Sequence, residues 1–487
     1  MSPTTIIVTI VAYMAVLFTV SYVAGRKSDN AGFFSGGRQS RWYMVAFAMI
    51  GASISGVTYV SVPGMVQASQ FGYLQMVMGF IVGQVIIAYV LTPLFYRMKL
   101  VSVYQFLEQR FGITSYRTGA WFFFISKMLG AAVRLFLVCL TLQLIVFGPL
   151  GIPFAVNVLL TVLLVWLYTF RGGVKSLIWT DSLKTLCLVV SVILCIWFIA
   201  RDLGLTASSL MDVLSDQHWS RVFFFDDVNS RQFFPKQFLA GVFTMIATNG
   251  IDQDMMQRNL SCRNYKESQK NMMVSIVLQF VVIAIFLNLG VLLYYFAAQK
   301  GISVEASDTL FTIIATGGYL PVVVGVLFII GLVSSAYSAA GSALTALTTS
   351  FTIDILGIKG KTEEQIKRLR QCVHVLMAVV MGVVIYVFNL LNNTSVIDAV
   401  YILASYTYGP ILGMFAFGIF VRRKVRDRYV PLVAIMAPVL CFVLDSNSEA
   451  WFAGYRFSYE ILILNALFTF IGMWLLSGKK IEKAVVS

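Results

Sequence analysis

The sequence predicts an all-α polytopic membrane protein of about 13 transmembrane helices, ten of which form an inverted five-plus-five core. Composition, the number of long apolar runs and two interrupted runs placed five helices apart all point to it. Hydrophobic residues make up 59% of the 487 positions and charged residues 12%, about half the roughly 25% charged content of a soluble domain. A helix needs roughly 20 apolar residues to cross about 30 Å of hydrocarbon. Such runs lie near 4–24, 42–65, 72–96, 118–148, 153–170, 177–200, 235–255, 272–297, 321–353, 371–391, 397–421, 429–446 and 459–476.

The first run reads as a retained helix. No basic segment precedes it, no small-residue cleavage site follows it, and Arg26-Lys27 stops it. With the loop after it, this helix forms an N-terminal extra element, 1–41. The run from Trp42 carries Gly51-Ala52-Ser53-Ile54-Ser55-Gly56 and then Val57-Thr58-Tyr59 at its centre. Glycine with small hydroxylated residues at mid-membrane depth favours local unwinding. The run after the outer segment 201–234 has the same chemistry, Thr248-Asn249-Gly250 followed by Asp252-Gln253-Asp254. These glycines would also serve close helix packing, but their matched placement argues for broken helices. Each interrupted run opens a group of five, 42–201 and 235–422. Five is odd, so the second group runs inverted to the first. Two C-terminal helices and a basic tail, 429–487, complete the chain.

The net charge of +14 would suggest nucleic acid if it were spread evenly. It is not. With the N-terminus outside, the loops on the cytoplasmic side hold 27 of the 36 basic residues and the outer loops hold six. This is the positive-inside bias, so the C-terminus is expected in the cytoplasm and the basicity is topological. The expected setting is an inner (plasma) membrane crossed many times. The bilayer and a small-molecule solute are the partners implied, with no nucleic acid and no protein partner. No loop is long enough for a soluble domain, and the six cysteines have no ligand spacing with His218 or His374. There is no nucleophile–base pair, metal-ligand cluster or phosphate loop, so an enzyme is not expected.

Several polar residues fall inside the runs. Arg134 lies near mid-membrane, where a charge faces a partner or a wet cavity. Its planar fork of donors suits an anionic or polyhydroxylated solute, and pairing with a carboxylate on another helix is the structural alternative. Lys127 is nearer the cytoplasmic end and is expected to snorkel partway. Asp181 and Lys184 share one helix face at i, i+3, either as an ion site or as a self-neutralised pair. Ser335, Ser338 and Ser342 share a face at i, i+3, i+7. There they serve either small-residue packing, with hydroxyls bonded to their own helix, or cation ligation.

In several places the sequence resembles the sodium/solute symporter family, which includes bacterial galactose and sialic acid transporters. The anchors are Phe34-Ser35-Gly36-Gly37-Arg38, Ser55-Gly56-Val57-Thr58 with Val62-Pro63-Gly64, and Tyr104-Gln105-Phe106-Leu107-Glu108-Gln109-Arg110-Phe111. Further along come Arg171-Gly172-Gly173 with Trp179-Thr180-Asp181, Asp252-Gln253-Asp254-Met255-Met256-Gln257-Arg258, and Ser342 to Asp354. The resemblance implies a LeuT-type core flanked by one N-terminal and two C-terminal helices, with Na⁺ as coupling ion. The main sodium site implied comprises carbonyls matching Gly51 and Ile54, with Ser335, Ser338 and Ala339 on the eighth core helix. A second site implied comprises Asp181, Ser338, Gly341 and Ser342. Ala339 and Gly341 lack the expected hydroxyls, and Lys184 stands where relatives carry glutamine. An ammonium there could replace the second cation. For sialic acid, the resemblance implies carboxylate binding by Ser55 and Thr58, with Gln84 and an arginine close to Arg134.

The expected function is therefore cation-coupled symport of a sugar or carboxylated sugar by alternating access, with Na⁺ as the cation and its stoichiometry open. Two alternatives stand beside it: Na⁺-independent or proton-coupled transport using Lys184 and Asp181, and a non-transporting receptor with the same bundle.

Overall fold

The structure, a computed structural model, describes residues 3–25, 40–100, 102–170, 173–215, 217–303, 307–391 and 396–480. The Phe34–Arg38 motif, Arg26-Lys27 and Arg171-Gly172 lie outside the described residues. Thirteen helices occupy the thirteen apolar runs. α1 is Pro3–Gly25, and α2 is divided into Trp42–Ser53 (α2a) and Gly56–Gly64 (α2b). α3 is Tyr73–Arg97, α4 Ile113–Phe147, α5 Phe154–Thr169 and α6 Gly173–Asp202. α7 is divided into Phe234–Met245 with the π-helical turn Ile246–Gly250 (α7a), and Gln253–Asn259 (α7b). α8 is Tyr265–Lys300, α9 Val322–Leu356, α10 Glu363–Leu391 and α11 Val396–Phe420. α12 is Val430–Ser446 and α13 Ile461–Leu475.

Among the described residues, eight of these are long and apolar enough to cross a membrane, nine when the two halves of α2, bent by 55°, count as one. α1, α5 and α13 supply shorter apolar helices, and α7 is the second interrupted one.

Both breaks form for local reasons. Ile54 and Ser55 are extended (φ −87°, ψ 96° and φ −85°, ψ 171°), and Ser55 restarts the chain as the N-cap of α2b, its Oγ accepting from Thr58 N. The last carbonyls of α2a are thereby left without helical partners. In α7, Asp252 is extended and its carboxylate caps α7b, accepting from Asp254 N at 2.8 Å and Met255 N at 3.1 Å.

The packing repeats under exchange of each helix with its counterpart five positions later. α3 packs on α7 as α8 does on α2, and α6 packs on α9 as α11 does on α4. α5–α10 and α4–α9 map onto themselves. This is the inverted five-plus-five core. At the α3–α7 crossing, a Cβ on Gly79 would meet the Phe238 carbonyl, and one on Gly241 the Met76 carbonyl. The two helices therefore touch backbone to backbone. Gly79→Val is expected to destabilise the bundle by about 1–3 kcal/mol through overpacking. A thermal unfolding midpoint in detergent checks this, against Gly382→Val as control, because a Cβ on Gly382 makes only ordinary contact with Val162 at 3.9 Å.

One element lies outside the predicted scheme. Arg423–Val425 pairs antiparallel with Ser477–Lys480, tying the α11–α12 link to the chain after α13.

Candidate functional site

Where the two breaks meet, a polar cavity opens between α2, α4, α7 and α11. Thr58, Arg134, Lys127, Asn249, Asp252 and Tyr408 are among the residues that line it. Its volume of about 100 Å³ is below the roughly 300–1,000 Å³ of pockets that hold drug-sized ligands. Tyr73 and Tyr401 also line the cavity, and their hydroxyls are hydrogen-bonded to each other at 2.7 Å. Both reach as well into a second cavity of about 430 Å³, lined by Arg231, Gln232, Tyr406 and Asp445 among others. This vestibule is on the side that the charge count assigns to the outside. The tyrosine pair thus separates vestibule from central cavity.

Of the residues the sequence pointed to for solute binding, Thr58 and Arg134 line the cavity. Ser55 is one layer behind, with its Oγ 3.4 Å from the Thr58 hydroxyl. Gln84 does not line the cavity. Its Oε1 accepts from Asn249 Nδ2 at 3.4 Å, so it supports a residue that does. Asn249 lay inside the predicted break, and its position there was the available signal. Among the described residues, no carboxylate pairs with the Arg134 guanidinium.

Among the described residues, the other charges at the breaks are ion-paired except Lys184. Lys127, expected to snorkel, instead lies buried with Nζ 2.8 Å from Asp254 Oδ2 and 3.2 Å from Asp252 Oδ2. The reason is that α7b brings two carboxylates across the bundle within reach, and a paired ammonium in hydrocarbon is cheaper than an extended one. Tyr408 donates to Asp252 as well. Arg258 is 1% exposed and bridges Asp181 at 3.0 Å and Asp254 at 3.3 Å. Ser338 donates to Asp181, and Ser342 to Asp254 at 3.1 Å. Lys184 makes no ion pair with Asp181 among the described residues. Its ammonium donates to the Gly51 carbonyl of α2a. Ser335 Oγ is buried without a hydrogen-bond partner.

These contacts test whether Na⁺ fits the residues implied for it. At the main site, Gly51 O is already bonded by Lys184, Ser338 is turned to Asp181, and Ala339 has no side-chain oxygen. At the second site Asp181 is paired with Arg258, and Ser342 with Asp254. A side chain at Gly341 would collide with the Tyr168 hydroxyl, which explains the glycine. In this arrangement neither set of residues fits the ion.

Comparisons with known proteins bear on the whole chain. Residues 33–427 match the family described as the sodium:solute symporter family. The sodium/sialic acid symporter NanT of Aliivibrio fischeri is 27% identical over 481 residues, covering 94% of this chain and 91% of that one. The sodium/sialic acid symporter SiaT of Proteus mirabilis is 23% identical over 482 residues, covering 93% and 92%. Among solved structures, a substrate-bound, outward-open Na⁺-coupled sialic acid symporter superposes with a TM-score of 0.82 at 19% identity, over 98% of this chain and 99% of that one. It has the same fold.

Proposed function

From the premise that the chain belongs to the sodium:solute symporter family, we propose that it moves a carboxylated sugar, such as a sialic acid, by alternating access. Membership makes it an integral multi-pass membrane transporter, and Na⁺ is the coupling ion of that family. In the proposed site, the solute's carboxylate is held by Arg134 and Thr58.

The observation that carries this reading is Arg134 itself. A guanidinium inside a bundle is costly unless something answers its charge, and here it faces a polar cavity with no carboxylate partner among the described residues. Thr58 is in the first turn of α2b, whose N-terminus adds positive potential at the same place. Charge bookkeeping agrees. Around the breaks, Lys127, Arg134, Lys184 and Arg258 face Asp181, Asp252 and Asp254, which leaves one positive charge. One carboxylate on the solute balances it. Asn249 and Ser126, also on the cavity wall, offer hydrogen bonds to hydroxyl or amide groups of a sugar acid.

Two barriers then define the cycle. The Tyr73–Tyr401 pair closes the path from the vestibule, and the Lys127–Asp252–Asp254–Arg258 network lies on the far side of the cavity. Tyr73→Phe removes the hydrogen bond between the tyrosines, worth about 1 kcal/mol. It is expected to speed solute association roughly fivefold with the site unchanged, as read by stopped-flow binding.

Uptake into proteoliposomes tests the function. A labelled sialic acid is expected to accumulate under an ion gradient, and its methyl ester, which lacks the charge, is not. Binding without accumulation under any gradient would favour a receptor. Equal handling of acid and ester would remove the carboxylate from the reading.

A further inference from the structure

The geometry points to Lys184 as a tethered cation that fills the family's main cation position at the carbonyl end of α2a. The inference deepens the transport reading and rests on it. Because α2a stops at Ser53, the Gly51 carbonyl has no amide to bond within its own helix. The negative end of the helix dipole is directed the same way, and away from water such a carbonyl must find a donor. Lys184 supplies it from α6, with its side chain fully buried. Gly51 makes the approach possible, since a Cβ there would be 2.6 Å from the Asp181 carbonyl oxygen. On α9, Ala339 offers no side-chain oxygen where the family resemblance implies one, which fits a position where an ammonium, with its three donors, stands in place of an ion with several oxygen ligands.

Charge balance argues the same way. With Arg134 reserved for the solute, Lys127, Lys184 and Arg258 match Asp181, Asp252 and Asp254 one for one. An added Na⁺ would leave a buried positive charge without a counter-charge, which the bundle disfavours. A neutral side chain at 184 would leave one negative charge in excess and free Gly51 O for an external cation. A cation bonded to a helix is not released at the end of a cycle, so the main site carries no Na⁺ through it.

The test uses the purified full chain, wild type and Lys184→Gln, in NaCl and in KCl of equal ionic strength. Two quantities are read: the Kd for a sialic acid and the thermal unfolding midpoint without solute. For the wild type, Kd is expected to agree within about twofold between the salts, and the midpoint to be equal in both. Lys184→Gln is expected to bind about tenfold more tightly in Na⁺ than in K⁺, and its midpoint to rise with Na⁺. A wild-type Kd that falls about tenfold in Na⁺, or a wild-type midpoint that rises specifically with Na⁺, would overturn the inference. So would a folded Lys184→Gln that ignores Na⁺ in both readouts. If Lys184→Gln does not fold, the wild-type arm decides alone. If no sialic acid binds in either salt, the solute assignment fails, and the midpoints still decide the role of Lys184.

Discussion

Replacing Arg134 by glutamine is expected to weaken binding of a carboxylated sugar about 100-fold, with little change in the unfolding midpoint. The size follows from the chemistry. Hydrogen bonds to charged groups contribute about 1.5–3 kcal/mol each, a guanidinium makes two of them to one carboxylate, and about 1.4 kcal/mol is a factor of ten. The unchanged midpoint follows from the absence of any protein carboxylate paired with Arg134 among the described residues. Nothing is orphaned by the change. Arg134→Lys keeps the charge but not the fork, so a loss of about tenfold is expected, because a point charge makes one good bond where the fork makes two. Calorimetric Kd values for the three proteins check this. An unaltered affinity in Arg134→Gln would mean that the carboxylate is held elsewhere.

Replacing Arg258 by methionine has the opposite profile, because its cost falls on the fold. The guanidinium is 1% exposed and holds Asp181 and Asp254 together. Breaking a buried pair by removing one partner costs about 3–5 kcal/mol, since the charge left behind has neither water nor a counter-ion. Asp181 is stranded here, while Asp254 keeps Lys127 at 2.8 Å, so a clearly lower unfolding midpoint and poor recovery from membranes are expected. Adding Asp181→Asn to the same chain is expected to restore much of the midpoint, because a neutral amide no longer needs the cation. A single Arg258→Met variant with a wild-type midpoint would show that the network is not a stabilising unit.

Much of the fold was legible because membrane insertion writes it locally. Each of the thirteen runs answers a length requirement that one stretch of sequence meets alone, and Gly51–Gly56 and Thr248–Asp254 announce their own unwinding. The site was legible only where a residue's neighbours belong to the same stretch. Thr58 and Arg134, to which the sequence pointed, line the cavity. The partner of Lys127 was not, because helical spacing tells which face a side chain is on but not what faces it across the bundle. The i, i+3 spacing of Asp181 and Lys184 suggested that they belong together, whereas α6 is sandwiched so that one meets Arg258 and the other α2a. Tyr73 and Tyr401 are 328 positions apart, and nothing in either run marks the other. Gln84 was assigned to the solute because the family resemblance implied it. Its actual contact, Asn249, became visible only with the α3–α7 crossing.

That crossing has a mechanical consequence. Gly79 and Gly241 bring α3 and α7 into backbone contact, and Gly290 brings α8 to within 2.5 Å of the Pro63 carbonyl of α2b, measured from its would-be Cβ. Surfaces interlocked at that range do not slide past one another. α4 meets the same block differently, through the Lys127 ammonium and the α7b carboxylates and through side-chain packing on α2b, without backbone-to-backbone contact of that kind. The protein therefore has a welded seam and an unwelded one. Any swing that opens the cavity to one side and then the other has its bearing surface along the line of charges, and the glycines keep the moving part in one piece.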